Sequence, residues 1–120
     1  RIHIRILIGL YNKEHMELKD CFREDFSIWL NNSNHPKIKP YITHQSKLNK
    51  VVEESLQEIL DILLREPQAD YFWYGYPEHG GKLSYSLPHH DVVPGGAIRV
   101  DKEKIKVFLR DIKIQTLLNE

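Results

Sequence analysis

Apolar residues occupy every second position at the start of the chain, and the pattern then changes to helical spacing. Residues 2–10 are apolar at every second position, and most of these side chains are β-branched, so the pattern predicts a strand with one buried face. Residues 12–31 carry apolar side chains at intervals of three and four, with Asn12 as a suitable N-cap. We therefore expect one continuous helix over this second stretch, ending in turn formers before Pro36.

A second helix is predicted from Ser46 to Arg65, where Ser46 is a good N-cap and Pro67 stops the helix. Its apolar side chains lie on one face and its acidic side chains on the other. Glu54 and Glu58 are one turn apart on the acidic face. Catalytic carboxylates need a perturbed environment, so we interpret this pair as part of a solvated surface.

The remaining elements are three predicted strands and a final helix. The strands cover residues 71–76, 82–87 and 97–100, and a glycine-containing turn joins the first two. Asp101 is the predicted cap of a helix that continues towards the C-terminus. The alternative is a strand over part of residues 104–118, because Val107, Leu109 and Ile112 suit either element. The order β-α-α-β-β-β-α predicts an α+β fold, with a small, mainly antiparallel sheet and helices packed on it. At this length we expect a single domain over residues 1–120.

Charge and cysteine content narrow the function classes. Lys and Arg together number 17, as do Asp and Glu, so the formal net charge is zero. Nucleic-acid-binding proteins usually carry a positive excess, so nucleic acid is a less favoured partner than protein. The single cysteine, Cys21, excludes an internal disulfide and favours a reducing, cytoplasmic location. No apolar run approaches the length of a membrane span.

The candidate functional region is the stretch from residue 70 to residue 100. It contains more Tyr and Trp than one buried strand face needs, and exposed Tyr and Trp are typical of protein-binding hot spots. The predicted binding residues are Tyr71, Trp73, Tyr74, Tyr76, Tyr85 and His89. The alternative is that helices cover both faces of the strand and bury these side chains.

The same stretch contains histidines that suit acid–base chemistry. In this alternative, His79 or His90 exchanges a proton while Lys82 or Arg99 steadies a phosphate. His89 and His90 are adjacent, so on extended backbone their side chains point to opposite sides and cannot act together. No ligand motif supports a metal, and no cofactor is expected. The two glycine pairs are explained by turns and match no phosphate-binding motif.

In element order alone, the chain resembles the RelE-like ribonuclease toxins, although no motif is shared. The resemblance implies a small metal-independent ribonuclease, whereas the zero net charge departs from the basic surface that holds RNA. We favour a non-catalytic protein-binding module, such as a toxin-neutralising (immunity or antitoxin-like) protein. The ribonuclease is the alternative.

Overall fold

The computed structural model describes residues 16–38, 45–76, 81–88 and 93–118. The strand predicted over residues 2–10 lies outside these ranges. The described elements are, in order, a 3-10 turn (Leu18–Asp20), α1 (Phe26–Asn31), α2 (Gln45–Arg65), β1 (Tyr71–Tyr74), β2 (Leu83–Ser86), β3 (Ile98–Arg99) and α3 (Lys102–Leu118).

The three strands form one antiparallel sheet with β1 in the centre, in the order β2-β1-β3. The register places Phe72 opposite Tyr85 on one side and opposite Ile98 on the other. Side chains alternate between faces along each strand, so these three residues share the face on which the core packs. The α+β fold predicted from the sequence is confirmed.

The single helix predicted over residues 12–31 is wrong in its described part. Between the 3-10 turn and α1, the chain bends without forming a helix, and Phe22 makes an isolated antiparallel bridge with Val100, just after β3. The Arg23 amide donates to the Arg99 carbonyl at 2.9 Å, and the Asp101 amide donates to the Cys21 carbonyl at 2.8 Å. Asp25 then starts α1, because its side chain accepts the Ile28 amide at 2.9 Å.

The other two predicted helices are confirmed, but Ser46 is not the N-cap of α2, because the helix already includes Gln45. Arg65 lies in the last turn of α2, two residues before Pro67, as the sequence pattern indicates. Asp101 precedes α3, and its side chain accepts the Lys104 amide at 3.3 Å. The three strands predicted between residues 71 and 100 are also found, each shorter than expected because hydrogen-bonded pairing ends before the apolar pattern does.

The buried apolar side chains form one cluster that joins all the described helices and the sheet. Its fully buried members include Phe26, Leu30, Ile59, Phe72 and Phe108. A hydrogen bond between residues far apart in the chain joins α1 to the segment before β3. The Trp29 indole Nε1 donates to the Gly96 carbonyl at 2.6 Å. The site surfaces described below lie on either side of α2, which is the longest described element.

Candidate functional site

The aromatic residues of β1 divide between the two faces of the sheet. Phe72 and Tyr74 point into the core, whereas Tyr71 and Trp73 lie on the opposite face and are half-buried. Tyr74 stacks on Trp29 with ring centroids 5.9 Å apart. Tyr74 is therefore not part of the exposed surface that the sequence suggested.

Exposed aromatic surface remains near the hairpin. Tyr76 is 66% exposed just beyond β1, and Tyr85 is 36% exposed on the edge strand β2. Tyr71 is covered in part by the Arg99 guanidinium, which lies 5.5 Å from its ring centroid. Among its described residues, the hairpin thus offers two exposed tyrosines, of which Tyr85 also contacts the buried Phe72 ring, with centroids 6.3 Å apart.

The residues proposed for acid–base chemistry do not converge where they are described. Lys82 lies opposite Gly75 at one end of β1, and Arg99 pairs with Tyr71 at the other end and on the other side. From strand rise and spacing, their Cα atoms are about 16 Å apart. Arg99 is engaged by Asp70, with Nε to Oδ1 at 3.4 Å. His79, His89 and His90 lie outside the described residues.

A polar cleft lies beside the middle of α2, between this helix, the 35–37 loop and the hairpin. We call it the α2 cleft; it has a volume of about 500 Å³. Its polar lining includes His35, Lys37, Glu54, Glu58, Tyr74 and Lys82. Lys37 and Glu54 form an ion pair across it at 3.2 Å, between Nζ and Oε2.

Two buried aromatic groups form one wall of the α2 cleft. His35 is in edge-to-face contact with Tyr74, with centroids 4.7 Å apart. The His35 Nδ1 accepts the Lys37 amide at 3.0 Å, so the neutral ring carries its proton on Nε2. Burial lowers the pKa of His35, and Lys37 lowers it further, while Glu54 acts in the opposite direction. His35 is therefore held neutral.

Tyr74 carries a buried hydroxyl without a hydrogen-bond partner of ordinary geometry among the described residues, and so does the neighbouring Ser55. Burial raises the pKa of Tyr74 to about 12, with Glu58 adding to the shift and Ser55 opposing it. A buried hydroxyl without a partner costs free energy. Burial therefore favours the uncharged forms of both groups on this wall, the His35 imidazole and the Tyr74 hydroxyl.

Glu58 is exposed, as the sequence interpretation of a solvated face expects, but the cleft partly desolvates it. Burial raises its pKa most, followed by Glu54, while Lys37 opposes the shift. The helical spacing of Glu54 and Glu58 was visible in the sequence. The cleft that desolvates Glu58 was not, because the 35–37 loop and the hairpin reach it only in the tertiary structure.

A second, more apolar depression lies between the C-terminal half of α2 and α3. This α2–α3 groove has a volume of about 610 Å³. Leu63, Ile105 and Leu109, all buried, reach it from the core, and Leu64 adds a side chain that is 43% exposed. Ala69, Pro67 and Pro88 complete its apolar surface.

One side of the α2–α3 groove is lined by four cations on α3, namely Lys102, Lys106, Arg110 and Lys113. Their spacing of four, four and three residues places them in a single row along the helix. Glu103 is the one acidic residue that lines the groove among the described residues. The row is readable in the sequence, but its position beside an apolar groove depends on how α3 packs.

Neither surface has the composition of a metal centre in the part of the chain that the structure describes: no group of three or more His, Cys, Asp or Glu residues there is arranged to hold an ion. Among the same residues, no helix combines the length and the apolar character that a membrane span requires.

Comparison with known protein families, with curated proteins and with solved structures found no significant match. The resemblance in element order to RelE-like toxins is therefore not supported by a structural match.

Proposed function

We propose that this protein is a non-catalytic protein-binding module, and that the α2–α3 groove is its main contact surface. The observation that carries the proposal is the apolar groove itself, with Leu64 exposed on its α2 side. Apolar pockets rimmed with polar residues are typical of interaction sites, because filling them removes apolar surface from water.

The exposed tyrosines of the hairpin fit the same function in a secondary role. Tyr76 and Tyr85 supply large, amphipathic side chains of the kind that are enriched in protein interfaces. The acid–base alternative receives less support, because Arg99, one of its two alternative phosphate contacts, is engaged by Asp70, and His79 and His90 lie outside the described residues.

The proposal is tested by photocrosslinking from the groove. Leu64 is replaced by a photoreactive phenylalanine analogue, and the protein is irradiated in an extract of its source cells. We expect a discrete adduct with another protein, identified by mass spectrometry. Ile28 is the matched control position, because it is 64% exposed and lies on α1, outside the groove.

Several outcomes would contradict the proposal: equal adducts from positions 64 and 28, no adduct at all, or an adduct joining position 64 to residues of the same chain. Leu64→Glu provides a second test, because a carboxylate in an apolar groove weakens apolar contacts. We expect Leu64→Glu to prevent co-purification of the identified partner and Ile28→Glu to leave it unchanged.

The narrower form of the proposal is that this protein neutralises a toxin, as an immunity or antitoxin-like protein does. Such proteins act by covering a surface of their partner. The crosslinked partner is expressed alone and together with this chain. We expect growth inhibition by the partner alone and relief by the wild-type chain, but not by Leu64→Glu. A partner without toxicity would remove the narrower form and leave the binding function in place.

A further inference from the structure

We infer that the occupant of the α2–α3 groove is a short, acidic, amphipathic helix of a partner protein. The inference rests on the proposed function and adds the chemistry of the partner. Its basis is the arrangement of charge and apolar surface along α3.

The cations of the groove are available to a partner. Lys106, Arg110 and Lys113 form no ion pair with a described residue, and Lys106 and Arg110 are exposed. Lys102 has only a distant contact with Asp70, with Nζ to Oδ1 at 4.0 Å. A ligand with carboxylates along one side would therefore meet charges that the described residues leave largely uncompensated.

The apolar positions of α3 run beside the cation row. Ile105 and Leu109 are one turn apart, and each directly precedes a cation of the row. From Lys102 to Lys113 the row extends about 17 Å along the helix axis, at about 1.5 Å per residue. That length matches roughly three turns of a partner helix, with leucine-like side chains over the groove and carboxylates towards α3.

Charge argues against the other occupants. Residues 1–15 of this chain contain Arg1, Arg5 and Lys13 against Glu14, so this segment carries the same sign as the groove. A second copy docked groove to groove would also place cations against cations. RNA would satisfy the cations but would leave the apolar surface without a partner, because phosphates do not fill it.

The probe is a fluorescein-labelled peptide of about 15 residues, the length at which an isolated helix becomes marginally stable. Leucines occupy one helical face, and Glu occupies most other positions. One comparison peptide has Lys in place of every Glu, and another has the acidic composition in scrambled order. Fluorescence anisotropy measures each affinity for the wild-type chain.

We expect the acidic amphipathic peptide to bind at least about tenfold more tightly than either comparison peptide, a difference of about 1.4 kcal/mol. Its affinity should fall as salt is raised, because exposed charges are screened. Equal binding of the scrambled peptide would overturn the inference, since it would show attraction without a helical face. Tighter binding of a labelled single-stranded RNA would overturn it too.

Charge reversal identifies the residues responsible. The double variant Lys106→Glu/Arg110→Glu should lower the affinity for the acidic peptide at least about tenfold and should favour the Lys-containing peptide. The control is Lys47→Glu/Lys50→Glu, because these exposed residues lie on α2 outside the groove. Circular dichroism checks that both variants fold.

The result also separates this inference from the proposed function. If Leu64→Glu prevents partner binding but charge reversal has no effect, the groove binds protein and the acidic-helix inference is wrong. If neither change affects the partner, the proposed function itself fails.

Discussion

Tyr74 shows how far tertiary packing can move a residue from its apparent role. In the sequence it is one of several aromatic residues in a short run, and it was grouped with the exposed hot-spot candidates. In the structure it contacts Trp29 and His35 and retains its proton in a neutral, buried environment. The sequence predicts that Tyr74 and Trp73 point to opposite faces of the strand. It does not predict which of these faces α1 and the 35–37 loop cover.

Gly81 is the residue at which the hairpin contacts the 34–36 loop. Its φ angle is +59°, and a Cβ atom there would lie 3.1 Å from the Pro36 ring and 3.2 Å from the Asn34 carbonyl oxygen. We expect Gly81→Ala to lower the free energy of unfolding by about 1–3 kcal/mol, from the left-handed backbone and the close contacts together.

Urea denaturation measures this change, and Gly95→Ala is the matched control because a Cβ atom there meets nothing within 4 Å. The control should change stability by no more than about 0.5 kcal/mol. Equal effects of the two substitutions would show that the contact of Gly81 with the 34–36 loop is unimportant.

At the scale of elements, the segment before α1 is the clearest disagreement between pattern and structure. The apolar residues at helical spacing are buried, as predicted: Leu18, Cys21, Phe22, Phe26, Trp29 and Leu30 all belong to the core. Their element was wrong, because residues 21–23 hydrogen-bond to the chain around β3. Spacing predicts which side chains are buried, whereas a long-range backbone partner decides whether the intervening chain is helical.

The start of α1 is set by a side-chain cap, Asp25. Asp25 is expected to stabilise a six-residue helix that carries three core side chains. Asp25→Ala should lower the free energy of unfolding by about 1 kcal/mol, because the Ile28 amide loses its acceptor. Glu24→Ala removes a neighbouring exposed carboxylate as the control, and chemical denaturation compares the two. If the control costs as much as Asp25→Ala, Asp25 is not the cap.

At the scale of the whole molecule, burial leads to a dependence of stability on pH. Burial raises the pKa of Cys21 from 9.0 to about 12 and that of Tyr74 from 10.0 to about 12. The folded chain therefore holds both protons more tightly than the unfolded chain does. Their stabilising contribution is present below pH 9 for Cys21 and below pH 10 for Tyr74, and it is lost as the pH rises towards about 12.

We expect Tyr74→Phe to remove part of this alkaline loss, on the order of 2–3 kcal/mol between pH 10 and pH 12. At neutral pH the variant should be as stable as the wild type or more stable, because it removes a buried hydroxyl without a good partner. Denaturation across this pH range is the measurement, with Tyr76→Phe as an exposed control. Parallel profiles for wild type and Tyr74→Phe would contradict the expectation.

The sequence by itself determined the α+β class, the α2 and α3 helices, the end of α2 and the start of α3, the order of the three described strands along the chain and most of the core. These features depend on local spacing, capping residues and turn formers, which act over a few positions of the chain. Only the tertiary structure decided that Tyr74 is buried, that residues 21–23 are not helical but bridge to the chain after β3, and that an acidic face lines a cleft. The α3 cations were likewise visible, but their place beside an apolar groove depends on the packing of two helices that are distant in the chain. Such contacts depend on which segments meet in space, and no local pattern encodes that information.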